Sequence, residues 1–237
     1  NDKVVKYIPN FPYSDICINH LLSHTSGLSA NIDFLNEEDN QKIITNDSII
    51  SLLIKYEPNL EFKPGEKWAY SNLGYDILAV IVETVSNLKF DVYMQKNVFR
   101  PAGMKRTFIP RSANVSNWLP KKLKESDLAL PHNYEDLSAC NLRNIYAITC
   151  NSKQYYYGSS HIYTTVYDLE KFNKALACNI ILSKESQALA YTPFKLNDGS
   201  FAIHDLAPIE SYYGLGWEIS MDTTYGKIIW HKGRSGG

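Results

Sequence analysis

The sequence lacks the features of a membrane-spanning or nucleic-acid-binding protein. None of its apolar runs approaches the roughly 20 residues that a membrane-spanning helix needs, and its polar first residues show no visible signal peptide. The formal net charge is only −1, so no basic field exists to hold nucleic acid or an anionic membrane. The short cluster Lys121, Lys122 and Lys124 is interpreted as a solvated face.

Cysteine patterns that hold metals are also missing. The four cysteines, Cys17, Cys140, Cys150 and Cys178, include no Cys-x-x-Cys pair and have no histidines at ligand spacing. We therefore expect neither a zinc site nor a cofactor. Cys140 and Cys150 could pair, but four cysteines allow three pairings, and buried free thiols are the preferred interpretation.

What is present indicates a globular α+β protein. The 237 residues are 44% hydrophobic and 21% charged, and this length suits one large domain or two interleaved ones. Apolar periodicity and capping residues predict helices followed by strands. The predicted helices span residues 16–23, 48–56, 74–86, 90–98, 165–177 and 184–192.

The first two of these helices begin after polar capping residues, Ser14 or Asp15 for one and Asn46 or Asp47 for the other. Gly27 is expected to end the first helix with a positive φ. His20 and His24, four residues apart, would share a helix face, and a structural role is favoured over a metal pair because no third ligand is near.

The last part of the chain predicts a hairpin. Residues 213–219 and 227–231 alternate as strands, with a turn over 223–226. Two strands alone are marginal, so further strands are expected to complete the sheet. The chain is expected to divide into a mainly helical region, 1–206, and strands of an α/β region, 207–237.

A possible chemical site lies between a Pro-Gly turn and the helix over 74–86. Tyr70 and Asn72 are two residues apart in a short segment, so their side chains are expected to point the same way. The phenol can accept or give a proton, and the amide both donates and accepts hydrogen bonds. Alone, Tyr-x-Asn is weak evidence, since a buried tyrosine beside a helix-capping asparagine has the same pattern.

Three separated motifs resemble those of the penicillin-binding-protein-like serine hydrolases. They are Ile18-Asn19-His20-Leu21-Leu22-Ser23-His24-Thr25-Ser26-Gly27-Leu28, then Pro64-Gly65-Glu66-Lys67-Trp68-Ala69-Tyr70-Ser71-Asn72-Leu73-Gly74-Tyr75, and Tyr213-Gly214-Leu215-Gly216-Trp217 with His231-Lys232-Gly233. This family includes class C β-lactamases, D-alanyl-D-alanine carboxypeptidases, D-aminopeptidases and esterases. The resemblance covers nearly the whole chain and implies the serine β-lactamase/DD-peptidase-like fold, a helical region plus an antiparallel sheet.

The resemblance also implies roles for individual residues. Tyr70 matches the family's general base and Asn72 its orienting amide, while His231 matches the polar or cationic residue of the Lys/His-x-Gly motif on an edge strand. Gly233 would let substrate lie close to the strand backbone, and the backbone N–H of Arg234 would supply one oxyanion donor. By the same resemblance, the loop over residues 29–33 lines the substrate cleft.

The nucleophile of the family is a Ser-x-x-Lys at a helix start, upstream of the first motif. No such segment matches here, because Ser86-Asn87-Leu88-Lys89 follows Tyr70 and ends a helix, and is read as a coincidence. The expectation is a fragment, incomplete at both ends, which is inactive as it stands.

The leading hypothesis is a serine hydrolase that acts through an acyl-serine on a D-amino-acid peptide, a β-lactam or a small ester. Its partners would be small-molecule or peptide substrates and no nucleic acid, and the family suggests an extracytoplasmic location. The alternative is a non-catalytic binding or scaffold protein that keeps the fold. The motifs do not define the oligomeric state.

Overall fold

The computed structural model describes residues 1–40, 42–110, 154–204 and 211–233. A 3-10 turn, Val4–Lys6, precedes the helices, and a π-helical turn, Gln95–Phe99, follows the fifth one directly. The α-helices in these residues are α1 Ile18–Leu22, α2 Glu37–Asn40, α3 Asn46–Tyr56, α4 Asn72–Ser86, α5 Phe90–Met94, α6 Val166–Ala177 and α7 Lys184–Ala190. None of the helices in this part of the chain is long and apolar enough to cross a membrane.

The strands form two small sheets. A parallel pair, β1 Ile44–Thr45 and β2 Gln154–Tyr155, lies beside the helices. The larger sheet is antiparallel in the order β3 Tyr212–Tyr213, β4 Glu218–Asp222 and β5 Gly226–Trp230. The prediction of helices followed by an antiparallel hairpin is therefore confirmed.

Helix α4 forms the centre of the main core. Leu73, Ile77 and Ile81, spaced four residues apart, are buried against α1 and α3, as the apolar periodicity predicts. Val85, which the same apolar periodicity includes, is exposed instead, because it lies in the last turn, beyond the packed part of the helix.

Three predicted helix boundaries were wrong. Helix α1 ends at Leu22 and is capped by Cys17, and Gly27 has the expected positive φ of 79° but lies in the following loop. His24 also lies outside α1, with φ 57°, so it does not share a helix face with His20. Helix α3 starts at Asn46, because Thr45 is its N-cap residue and the Thr45 N–H donates to Ser48 Oγ at 2.8 Å.

The bounds of α4, α5 and α7 also differ from the predicted ones. Helix α4 starts two residues early, at Asn72, since Ser71 caps it. The helix predicted over 90–98 changes to π-helical geometry at Gln95. The helix predicted over 165–177 is observed as Val166–Ala177, because Thr165 caps α6 with its side chain accepting from Asp168 N–H. Helix α7 ends at Ala190 rather than at residue 192.

The strand predicted over 213–219 was wrong as a single element. The chain turns between β3 and β4, where Gly214 N–H donates to Trp217 C=O at 2.8 Å and Gly216 has φ 86°. The Gly216 N–H donates to Leu22 C=O at 2.9 Å, a tertiary contact that draws this turn toward α1. The predicted turn over 223–226 is confirmed, since β4 ends at Asp222 and β5 starts at Gly226.

Several sequence expectations fall outside the described residues, among them the solvated face of Lys121, Lys122 and Lys124. The boundary at residue 206 lies in the stretch 205–210, and the pairing of Cys140 with Cys150 lies in 111–153. Cys17 and Cys178 are free thiols, and neither is fully buried.

Candidate active site

The segment that carries Tyr70 is fixed to the loop after α1 by backbone hydrogen bonds. His24 C=O accepts from Ala69 N–H at 2.9 Å, and Ala30 C=O accepts from Asn72 N–H at 2.8 Å. These bonds hold the residues near Tyr70 on both sides. The backbone position of Tyr70 is therefore fixed by the loop after α1 as well as by helix α4.

Ser71 starts helix α4. Its hydroxyl accepts from Gly74 N–H at 3.1 Å and donates to Ser29 C=O at 2.8 Å, which satisfies one of the free N–H groups at a helix start. Asn72 is consequently the first helical residue, and its side-chain amide donates to Asn31 Oδ1 at 3.0 Å. The expectation that Tyr70 and Asn72 lie at a helix N-terminus is confirmed.

Tyr70 is partly open to solvent, with 39% of its surface exposed. In the part of the chain that the structure describes, its hydroxyl has no hydrogen-bond partner. Burial raises the pKa of Tyr70 above its ordinary value, and the carboxylates of Asp76 and Glu218 raise it further. A phenol in this field is a weaker acid than free tyrosine, so it needs a nearby cation before it can act as a base near neutral pH.

His231 lies directly after the end of β5 at Trp230, and its ring centroid is 6.4 Å from that of Tyr70. The fold therefore brings together two predicted site residues from distant parts of the chain. Both imidazole nitrogens already have protein partners, the Tyr213 hydroxyl at 2.9 Å from Nε2 and the Lys232 C=O at 2.7 Å from Nδ1. In this arrangement His231 presents no unoccupied nitrogen to a substrate.

Gly233 is exposed beyond the strand end, because β5 stops at Trp230, one residue before the predicted end at residue 231. A Cβ atom at Gly233 would meet nothing within 4 Å among the described atoms, so the backbone there is open to a ligand. Arg234 lies outside the described residues, and its backbone N–H as an oxyanion donor stays a prediction.

His24 is a buried member of the site whose position the sequence did not indicate. Its ring lies 4.2 Å from the ring of Tyr70, and its Nδ1 accepts from Ser71 N–H at 3.1 Å. Burial lowers the pKa of His24 to about 3, with smaller contributions from His231 and His204. The ring is therefore neutral near pH 7, and it supports Tyr70 by packing rather than by charge.

Asp76 is a second buried group that was not foreseen. It is one helical turn after Asn72 on α4 and is 1% exposed. Its Oδ1 accepts from Ser159 N–H at 3.0 Å, and burial raises the pKa of its carboxyl to about 6. Gly158 makes this contact possible, since a Cβ there would lie 2.2 Å from Tyr75 C=O.

Glu218 and His204 form a buried pair behind the site. Glu218 Oε2 lies 3.0 Å from His204 Nδ1, and both side chains are almost fully buried. The His204 ring packs 4.7 Å from the ring of Trp68, two residues before Tyr70. This pair supplies Glu218, whose carboxylate has the smaller effect of the two on the pKa of Tyr70, and no local sequence pattern indicates that its members meet.

The loop over residues 29–33 borders a cavity of about 410 Å³. Asn31, which accepts from the Asn72 amide, lies on its wall together with Asp33 and Tyr156. The cavity gives this loop the space that a substrate cleft requires. The described residues contain no group of three or more histidine, cysteine, aspartate or glutamate side chains arranged to hold a metal ion.

Comparisons with known proteins agree with this architecture. The family model described as Beta-lactamase matches residues 1–237. A penicillin-binding protein of Bacillus subtilis (strain 168) is 30% identical over 240 residues, which cover 98% of this chain and 49% of that protein. The chain therefore spans about half the length of this curated relative.

Two solved structures have a similar fold. The penicillin binding protein from Bacillus halodurans superposes with a TM-score of 0.66 at 25% identity, over 93% of this chain and 62% of that one. The β-lactamase/D-alanine carboxypeptidase from Yersinia pestis gives 0.61 at 21% identity, over 92% of this chain and 57% of that one. The helical region and antiparallel sheet thus form the fold shared by penicillin-binding proteins and β-lactamases. The chain belongs to the Beta-lactamase family, whose members include serine hydrolases.

Proposed function

We propose that this chain is part of a serine hydrolase that forms an acyl-serine with a D-amino-acid peptide, a β-lactam or a small ester. Tyr70 would act as the base, Asn72 would orient the substrate, and His231 would adjust the charge beside Tyr70. Gly233 and Arg234 would provide the backbone along which substrate binds. The observation that carries the proposal is the 6.4 Å approach of the Tyr70 and His231 rings at the start of α4.

The nucleophile would come from a Ser-x-x-Lys segment outside residues 1–237. Ser86 does not suit the role, because its hydroxyl donates to Val82 C=O at 2.6 Å in the last turn of α4. Lys89 is also engaged elsewhere, with its Nζ 2.7 Å from Asp47 Oδ1. We further propose that the active protein works outside the cytoplasm, as its penicillin-binding relatives suggest.

The raised pKa of Tyr70 favours a mechanism in which a cation from outside residues 1–237 lies beside the phenol. Bringing a phenol from its ordinary pKa near 10 to about 7 requires roughly 4 kcal/mol of differential stabilisation. Tyr70 needs more than this, because burial and two carboxylates raise its pKa. The lysine of a Ser-x-x-Lys segment would supply that stabilisation by lying close to the phenolate.

The second candidate function is a non-catalytic binding or scaffold protein. Two observations favour it: both His231 nitrogens have partners within the chain, and the Tyr70 pKa is raised rather than lowered. A site retained only for binding would keep its shape without a lowered pKa at Tyr70.

Hydrolysis of a chromogenic ester and a chromogenic cephalosporin separates these functions. The test compares residues 1–237 with a longer version that carries the Ser-x-x-Lys segment. We expect turnover by the longer version only, with a loss of orders of magnitude in Tyr70→Phe, since residues of such a site act as a unit. Tyr225→Phe is the matched control, because Tyr225 is 81% exposed on the hairpin.

Two results would contradict the proposal. Turnover by residues 1–237 alone that is abolished by Ser86→Ala would mean that the nucleophile lies within the chain. Inactivity of both versions, without covalent labelling of the longer one, would favour the scaffold function.

A further inference from the structure

We infer that Tyr213 is a positioning residue that fixes the ring of His231 in one tautomer and one orientation. Tyr213 lies on β3 and is 1% exposed, and its hydroxyl is 2.9 Å from His231 Nε2. The hydrogen bond itself is independent of the proposed function, whereas its consequence for catalysis rests on that function.

The partners of the two ring nitrogens determine where the protons are. A carbonyl oxygen only accepts hydrogen bonds, so the 2.7 Å contact of His231 Nδ1 with Lys232 C=O requires a proton on Nδ1. In the neutral imidazole Nε2 then has a lone pair and accepts. The Tyr213 hydroxyl has one proton and also contacts the Tyr75 hydroxyl, whose own proton goes to Leu22 C=O. The imidazole Nε2 is a more basic acceptor than a phenol oxygen, so Tyr213 donates to Nε2 and fixes the Nδ1–H tautomer.

Tyr213 is itself held rigidly. Its backbone N–H donates to Ala202 C=O at 2.8 Å, and it pairs with Glu218 across the sheet. Its ring packs 4.9 Å from the ring of His24 and 5.6 Å from that of Trp68. Burial raises the pKa of the Tyr213 hydroxyl well above its ordinary range, so the group stays protonated and available as a donor.

This arrangement changes the role of His231. With both nitrogens engaged by the protein, the neutral ring does not bind substrate by a hydrogen bond of its own. It is instead held at a fixed distance from Tyr70, so that His231 acts on the proposed base through its position. Substrate recognition at this end of β5 then depends on other groups, such as the open backbone at Gly233.

Side-chain NMR tests the tautomer directly. Long-range ¹H–¹⁵N spectra of residues 1–237 in alkaline buffer, where an ordinary imidazole is neutral, should show His231 with a protonated Nδ1 and a hydrogen-bonded Nε2. His231→Gln assigns the signals by their disappearance. In Tyr213→Phe the Nε2 signal should move to the position of an unbonded nitrogen, and in Tyr212→Phe it should not. Tyr212 is the matched control, because it is the neighbouring residue and its ring packs on Phe201.

A protonated Nε2 in the unaltered chain would overturn the inference, even where Tyr213→Phe fails to fold. Unchanged His231 signals in a folded Tyr213→Phe variant would also overturn it.

Kinetics on the longer version test the catalytic consequence. Tyr213→Phe should lower kcat for the ester about 10- to 100-fold with little change in KM, as expected when a reacting group loses its alignment. A changed NMR spectrum with an unchanged kcat would refute the positioning role. If the unaltered longer version is inactive, the proposed function fails, while the NMR result still decides the hydrogen bond.

Discussion

Replacing Asp76 by asparagine should stabilise the protein at neutral pH. Asp76 is 1% exposed, and the described residues give it no cationic partner; its hydrogen bonds come from Ser159, whose N–H lies 3.0 Å from Asp76 Oδ1. The difference between the ordinary pKa of 3.8 and the value of about 6 corresponds to about 3 kcal/mol of lost stability once the carboxyl is ionised. Asparagine keeps an oxygen that can accept from Ser159, so most of this loss should be recovered.

The sign of the pH dependence follows from the raised pKa. Below about pH 4 the Asp76 carboxyl is protonated in the folded and the unfolded chain, and it does not lower stability. Between about pH 4 and pH 6 the unfolded chain loses this proton first, so the free energy of unfolding falls as pH rises. Above that range the full loss of about 3 kcal/mol remains.

Urea unfolding at several pH values between 4 and 8 measures this effect as the difference between Asp76→Asn and the unaltered chain. For a protein of this size the expected gain at pH 7.5 corresponds to a rise in Tm of about 6 to 12 °C. Asp47→Asn is the control: Asp47 is 71% exposed and pairs with Lys89, so its change should stay within about 1 kcal/mol. A lower stability of Asp76→Asn at pH 7.5, or an unchanged difference across pH 4 to 6, would refute the reasoning.

Two further substitutions test the loop and cap that hold Tyr70. Gly27→Ala should lower the free energy of unfolding by about 3 kcal/mol or more. The reason is that Gly27 has φ 79° and that a Cβ there would lie 2.1 Å from Phe62 C=O. A loss below about 1 kcal/mol in urea unfolding would contradict this. Ser71→Ala should lower the free energy of unfolding by about 1 to 2 kcal/mol, since it deletes the cap of α4. Ser186→Ala, in the exposed first turn of α7, is the control and should change this free energy much less.

The predictable part of the fold was the part determined by local pattern. The buried positions of Ile77 and Ile81 and the cap at Thr165 follow from side-chain spacing and hydroxyl chemistry, and both agree with the structure. The break between β3 and β4 was not predictable, because it depends on Gly216 reaching Leu22 of α1. Alternation alone indicates a strand and contains no information on such a tertiary contact.

The candidate site likewise has features that the sequence predicted and features that depend on tertiary contacts. Motif order indicated Tyr70 and His231 as neighbours, and their rings do approach each other. The burial of Asp76 and the hydrogen bond from Tyr213 to His231 depend on where distant segments fold back. These contacts determine the electrostatics and orientation of the candidate site, so sequence motifs indicated candidate members of the site but not their charge state.

Intact-mass spectrometry of the longer version after incubation with benzylpenicillin tests the central proposal most directly. We predict a mass increase of one whole penicillin molecule, because ring opening of the β-lactam acylates the nucleophile without a leaving group. Peptide mapping should locate the adduct at the serine of the Ser-x-x-Lys segment. The adduct should form far more slowly in Tyr70→Phe. No mass increase under these conditions, or an adduct on a serine within residues 1–237, would contradict the account.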